Sequence, residues 1–259
     1  MSGFENFLWG IAPYISFTIL IVGTIIRRVF FARTWTAKSS EFLDKGGERL
    51  FTPLFHLAIL FILFGHIGGV LVPKTLVDGM MATFMGFDEP TAEHMYHLMA
   101  FGMGGLFGIV CGIAVIMLLK RRFGPGNDYM KANTSTMDKV MYVFLALTIA
   151  FGLIATFTNA GGDFNYRESL SPWFRSVLAL QPQTQLMASV PIFFKLHMCC
   201  WMCLFAVLPF TRLVHMFSGV TAPFRYAKRK DILYRRRDIP QPVRDDQRAL
   251  EFPKGVTRS

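Results

Sequence analysis

Long unbroken apolar stretches alternate along the chain with shorter polar ones. Five apolar runs stand out, approximately Leu8 to Ile26, Pro53 to Val72, Met95 to Leu119, Val140 to Thr158 and Ser189 to Phe217. Each approaches or exceeds the roughly 20 helical residues needed to cross a hydrocarbon core of about 30 Å. None alternates apolar and polar residues over segments of about ten, as the strands of a membrane barrel would. The pattern therefore predicts an all-α membrane protein with five transmembrane helices. The stretches 73–94, 124–137 and 159–188 read as loops, the last long enough to fold over one end of the bundle. Beyond Phe217 the apolar character stops, and Ser218 to Ser259 holds eleven basic and five acidic residues, too polar to build a core of its own. Two domains follow: a membrane domain, 1–218, and a basic tail, 219–259.

Composition sharpens this picture and charge orients it. Of 259 residues, 53% are hydrophobic and only 17% charged. The formal charge of +10 would by itself admit nucleic acid as a partner. The basic residues lie elsewhere than such a role requires: six fall in 27–52, five in 120–139 and eleven after Phe217, against three in the two other loops together. That is the bias of cytoplasmic loops. It places the N-terminus outside and the C-terminus in the cytoplasm, and leaves membrane lipid rather than nucleic acid as the charged partner. The first fourteen residues carry no Lys or Arg and no small-residue cleavage pattern, so the first run reads as a retained helix.

Ionisable groups inside a membrane are costly and therefore informative. His56 and His66 lie on the second run, and His197 and His215 on the fifth. Ten helical residues put His66 about 15 Å farther out than His56, and turn it roughly 80° around the axis. The fifth run travels the opposite way, with His197 near the outside and His215 about 27 Å inward on the same helix face. Depth then pairs His66 with His197 and His56 with His215. The two spacings agree only if the helices tilt or bend, and Pro209 offers a bending point.

Two opposed imidazoles across a helical bundle suit a haem iron, whose macrocycle leaves two axial positions open. Two such levels would each suit a haem iron, with the four histidines as the iron ligands. Gly65, Gly68 and Gly69 remove side chains beside His66 and let a flat ring approach the backbone. Gly104, Gly108 and Gly112 form a small-residue stripe read as helix packing. Arg212, one turn before His215, could hold a haem propionate or snorkel to lipid phosphate. Cys200 and Cys203 have CxxC spacing, but without a second pair of ligands they read as packing residues.

These residues resemble the gamma subunit of membrane-bound respiratory nitrate reductase, a five-helix cytochrome b. The resemblance covers most of residues 10–225. It is carried by Pro13-Tyr14-Ile15, TWTAKSSEFLDKGGERL at 34–50, LFHLAIL and GHIGGVLVP in the second run, LLKRR at 118–122, FKLHM, LPFTRLVHMFS at 208–218, and the two histidine spacings. It implies a dihaem core of the four-helix type with two haems b, a distal one on His66 and His197 and a proximal one on His56 and His215. It further implies oxidation of menaquinol or ubiquinol near the outer face, with electrons passing inward to an iron-sulphur (beta) subunit. From there they would reach a molybdenum catalytic (alpha) subunit, which carries the nitrate chemistry. The basic tail, with Arg235 to Arg237, would dock against the iron-sulphur partner.

Quinol oxidation also needs a proton acceptor at the outer mouth. His97, His94, Tyr96 and Glu93 are in that zone, and a histidine, with an unperturbed pKa of about 6.5, suits the task. The family places a lysine at the start of the third helix for quinol, and residues 75–119 contain none, so His97 would take its place. Two other functions stay open at this point. One is a related dihaem cytochrome b serving another complex, such as a nitrite-oxidising one. The other is a haem-free membrane anchor or transporter, which would leave the depth-paired histidines without a purpose.

Overall fold

The computed structural model describes residues 2–31 and 50–217. Its contacts divide the chain into two units, Met1–Val214 and His215–Ser259. Among the described residues the regular elements are all helical, and five helices are long and apolar enough to cross a membrane. The first, α1, runs from Gly3 to Phe30 and the second, α2, from Phe51 to Leu71. A shorter helix, α3, spans Lys74–Met85, and α4 spans Glu89–Phe123. After α5, Asp128–Ala132, come α6, Thr136–Thr158, and α7, Leu170–Leu178. The last, α8, is Ile192–Val207.

Stretches read as loops thus contain helices. α3 fills most of 73–94, and α4 starts at Glu89 rather than Met95, with Asp88 as an extended cap and Pro90 in its first turn. α7 lies within 159–188, and α5 within 124–137. All three are too short to make a membrane-length apolar run, which is why apolar length alone does not reveal them.

Prolines decide where the long helices deviate. Pro13 has no N–H to give the Trp9 carbonyl four residues earlier, and the backbone passes through a π turn, Phe7–Ile11. The indole N–H of Trp173 on α7 donates to that carbonyl at 3.0 Å, and the two Trp rings meet edge to face at 5.7 Å. Tyr14 donates to the Val177 carbonyl at the end of α7, and Ser16 to the Met202 carbonyl on α8. One apolar cluster, built on Trp9, Trp173, Val177, Met187, Met198 and Met202, joins these elements.

Pro209 ends the fifth span. The α-helix stops at Val207, a 3-10 turn covers Leu208–Phe210, Thr211 is extended, and a second 3-10 turn covers Arg212–Phe217. Arg27 of α1 donates to the carbonyls of Pro209 and Thr211, at 2.6 Å each. Pro209 also packs on Gly23, where a Cβ would sit 3.0 Å from its ring. The sequence-based expectation that His197 and His215 share one face of a continuous helix is therefore corrected. The five-turn relation between them is broken after Val207.

Helices in lipid gain little from apolar burial and adhere by close packing. Glycines on α4 supply it against α6, where a Cβ on Gly108 would lie 2.7 Å from Leu153, and Gly105 and Gly112 border Phe157 and Leu153. The packing stripe is thus Gly105, Gly108 and Gly112. At Gly104, expected to belong to it, a Cβ would meet nothing within 4 Å.

Candidate functional site

His66 ends the regular α-helical part of α2, just before a π turn, Ile67–Leu71. His197 lies in the second turn of α8. The antiparallel course of the two helices brings the rings to a centroid separation of 5.9 Å with planes 31° apart. Two imidazoles binding one metal from opposite sides, each at about 2 Å, place their ring centroids about 6 Å apart.

The donor chemistry is equally definite. His66 Nδ1 lies 2.7 Å from the Ile62 carbonyl, and His197 Nδ1 lies 2.8 Å from the Thr148 carbonyl on α6. His56 Nδ1 lies 2.7 Å from the Thr52 carbonyl. A carbonyl only accepts, so each Nδ1 carries the proton, and at His66 and His197 Nε2 keeps a lone pair that could serve a metal. Gly152 makes room for the His197 ring, since a Cβ there would sit 3.0 Å from Cε1. Beside His66, a Cβ on Gly65 or Gly68 would meet nothing within 4 Å. Among the described residues, the flank of α2 beside His66 therefore leaves room where a flat ring could pass. Among the described residues no three His, Cys, Asp or Glu side chains converge, and the four cysteines are unbridged. A haem asks for only two protein ligands, and the residues present fit one.

His215 opens the second unit, in the 3-10 turn Arg212–Phe217. Arg212 belongs to the first unit, where Nη2 lies 2.9 Å from Asp138 Oδ2. Asp138 also closes the capping box with Ser135 that starts α6. Both partners of the ion pair are almost fully buried, so it ties the start of α6 to the end of the fifth span.

Where α2 ends and α4 begins, the structure gathers residues from α3, α4 and the segment before α7. Tyr96 and His97 belong to this group. Tyr166 donates to the Tyr96 hydroxyl at 3.3 Å, and the Arg167 guanidinium lies 4.0 Å over the Tyr96 ring. His97 Nε2 lies 3.2 Å from the Ala160 carbonyl, which makes Nδ1 the accepting nitrogen. Gly162, at φ +78°, borders that ring, and a Cβ there would be 3.3 Å from Nε2. His94 is exposed and joins no hydrogen bond or ring contact among the described residues.

Sequence reasoning missed the cation at this end. Lys74, one residue before the lysine-free stretch 75–119, lies 3.1 Å from Glu93 and 2.8 Å from Glu168. Asn165 donates to Glu93 as well. Arg167 is buried and pairs with Asp78 at 3.2 Å, and Arg175 donates to the Val70 carbonyl at 3.0 Å. A signal was present: the two loops that the charge bias leaves poor in Lys and Arg contain only these three, and each is committed to a specific contact. The hydrogen bond to Glu168 leads the contacts that hold the Lys74 ammonium above its ordinary pKa, with Glu93 adding to it against partial burial. Burial, followed by Tyr96, pushes the Tyr166 phenol well up.

Known proteins match most of the chain. The profile of the family described as nitrate reductase gamma subunit matches residues 5–237. The nitrate reductase gamma chain of Bacillus subtilis is 38% identical over 238 residues, covering 92% of this chain and 100% of that one. The respiratory nitrate reductase 1 gamma chain of Escherichia coli is 32% identical over 240 residues, again 92% and 100%. The nitrate reductase-like protein NarX of Mycobacterium tuberculosis is 37% identical over 233 residues, or 89% of this chain; the chain spans only 34% of that longer protein. With the five membrane helices, these matches show that the chain is a multi-pass membrane protein belonging to the nitrate reductase gamma subunit family.

Proposed function

We propose that the chain is the cytochrome b subunit of a respiratory nitrate reductase complex. It oxidises menaquinol or ubiquinol near the outer face and delivers electrons to a cytoplasmic iron-sulphur subunit, with nitrate reduced on a separate molybdenum subunit. The observation that carries this reading is the His66–His197 pair, 5.9 Å apart with both Nε2 lone pairs uncommitted to their carbonyl contacts. His66 and His197 would hold the distal haem b, and His56 and His215 the proximal one. When bound, the two haems supply one-electron redox chemistry at two depths of the membrane. The chain's own residues do the rest. Carbonyl contacts at Nδ1 fix the tautomer of His56, His66 and His197 and raise the basicity of Nε2.

At the outer mouth, His97 Nδ1 accepts a proton from quinol while Nε2 stays anchored on Ala160. Tyr96, the preceding residue, carries a hydroxyl that accepts from Tyr166, and Lys74 brings to this mouth the cationic character that the family's lysine would supply. Protons taken here stay outside while electrons go inward, which separates charge across the membrane. A propionate contact of Arg212 would add to its pair with Asp138. The basic tail, including Arg235 to Arg237, would dock on the iron-sulphur subunit; it lies outside the described residues.

The test is the haem content of the purified chain by pyridine haemochrome, with a reduced-minus-oxidised spectrum, alongside His66→Ala and His215→Ala. Two haems b in the parent and one, spectrally distinct, remaining in each variant is the expected result. A folded, partner-bound parent without haem would overturn the proposal.

A further inference from the structure

His66 and His197 are aimed by different means. His197 is tied across to a neighbouring helix, through Thr148 of α6. Among the described residues His66 is hydrogen-bonded only to its own preceding turn, through Ile62, so its ring follows the backbone of α2. α2 is also the least buried of the five spans. Something outside α2 must therefore fix the helix end if the ring is to keep one orientation.

The structure contains such a device. The carbonyls of Gly69 and Val70 lie at the C-terminal end of the π turn, where helical N–H partners run out. Ser171, fully buried on α7, donates to the Gly69 carbonyl at 3.0 Å. Arg175, one turn later, donates to the Val70 carbonyl at 3.0 Å. The Tyr166 carbonyl accepts from the Ser171 amide at 2.9 Å, so the same short segment presents the Tyr166 phenol. That phenol presses on Gly69, where a Cβ would lie 2.7 Å from its oxygen, and Tyr96 of α4 closes the other side at 3.0 Å. A side chain at Gly69 would displace both phenols.

We propose that Ser171, Arg175, Tyr166 and Gly69 are positioning residues for His66. By clamping the end of α2 they set the angle and distance of its imidazole to that of His197, and so the ligand field of the haem that this pair would hold. The inference rests on the haem assignment proposed above, and concerns residues that touch neither iron nor quinol.

The experiment uses the full complex in membranes and compares the parent with Ser171→Ala, Ser171→Thr and Arg175→Gln. Haemochrome content, the low-spin electron paramagnetic resonance signals and the midpoint potential of each haem are read together. Expected are two haems per chain throughout, with signal and potential moved only for the haem that His66→Ala removes. Ser171→Thr, which keeps the hydroxyl, should restore the parental values. Unmoved signals and potentials in both Ser171→Ala and Arg175→Gln would overturn the inference while leaving the haem assignment intact. Equal movement of both haems would also overturn it, since that marks general loosening. A parent without haem would sink the assignment and the inference together.

Discussion

At the scale of single residues, the informative feature is which atom of each side chain is already engaged. His66 and His197 meet carbonyls through Nδ1, whereas His97 is anchored through Nε2 and presents Nδ1. The proposed ligands and the proposed proton acceptor would thus use opposite nitrogens of the same side chain. Lys74 shows how charge is held at the mouth. Its folded-state pKa is raised, first by the hydrogen bond to Glu168, so its contribution is fully present below the unfolded lysine value of about 10.4 and is lost as pH rises through the folded value. With both carboxylate partners well exposed, Lys74→Ala should cost about 1 kcal/mol or less. Thermal unfolding of parent and variant between pH 7 and about 11 should show a gap that closes only at the alkaline end. A gap closing below pH 9 would refute the assignment. The four histidines were legible as a set because imidazoles are rare in lipid. Lys74 was not, because its meaning lies in Glu93 and Glu168, 19 and 94 residues away.

At the scale of elements, two prolines break helical bonding, and a side chain from a distant helix supplies a donor near each break. Trp173 serves the Trp9 carbonyl that Pro13 leaves open, and Arg27 serves the Pro209 and Thr211 carbonyls where the fifth span ends. Trp173→Phe keeps most of the apolar contact and deletes one donor to a buried carbonyl, which should cost about 1–3 kcal/mol. Chemical unfolding in detergent would measure it, and an unchanged midpoint would show that the Trp9 carbonyl finds another donor. The sequence announced both prolines but neither partner. Helix length was legible from apolar runs, since hydrocarbon thickness sets it. The amphipathic helices α3 and α7 were not, because at 12 and 9 residues they fall below that length. They nevertheless supply Lys74 and Asp78 on one side, and Ser171 and Arg175 on the other.

For the whole molecule, membership of the nitrate reductase gamma subunit family makes partners the next question. Deleting residues 231–259 should abolish recovery of the iron-sulphur and catalytic subunits with an affinity-tagged chain, while haem content stays at the parental level. Undiminished recovery of all subunits would remove the tail from the interface. The sequence by itself determined the number of membrane helices, the set of histidines and the family. Each of these is written in local composition and spacing, which the low dielectric of lipid makes unforgiving. Tertiary structure alone decided the 5.9 Å spacing and 31° ring angle of His66 and His197, that α8 stops at Val207, and that three basic side chains lock the Lys74 end. Those facts depend on contacts between residues far apart in the chain, where helix crossing and hydrogen-bond geometry, rather than sequence pattern, select the partner.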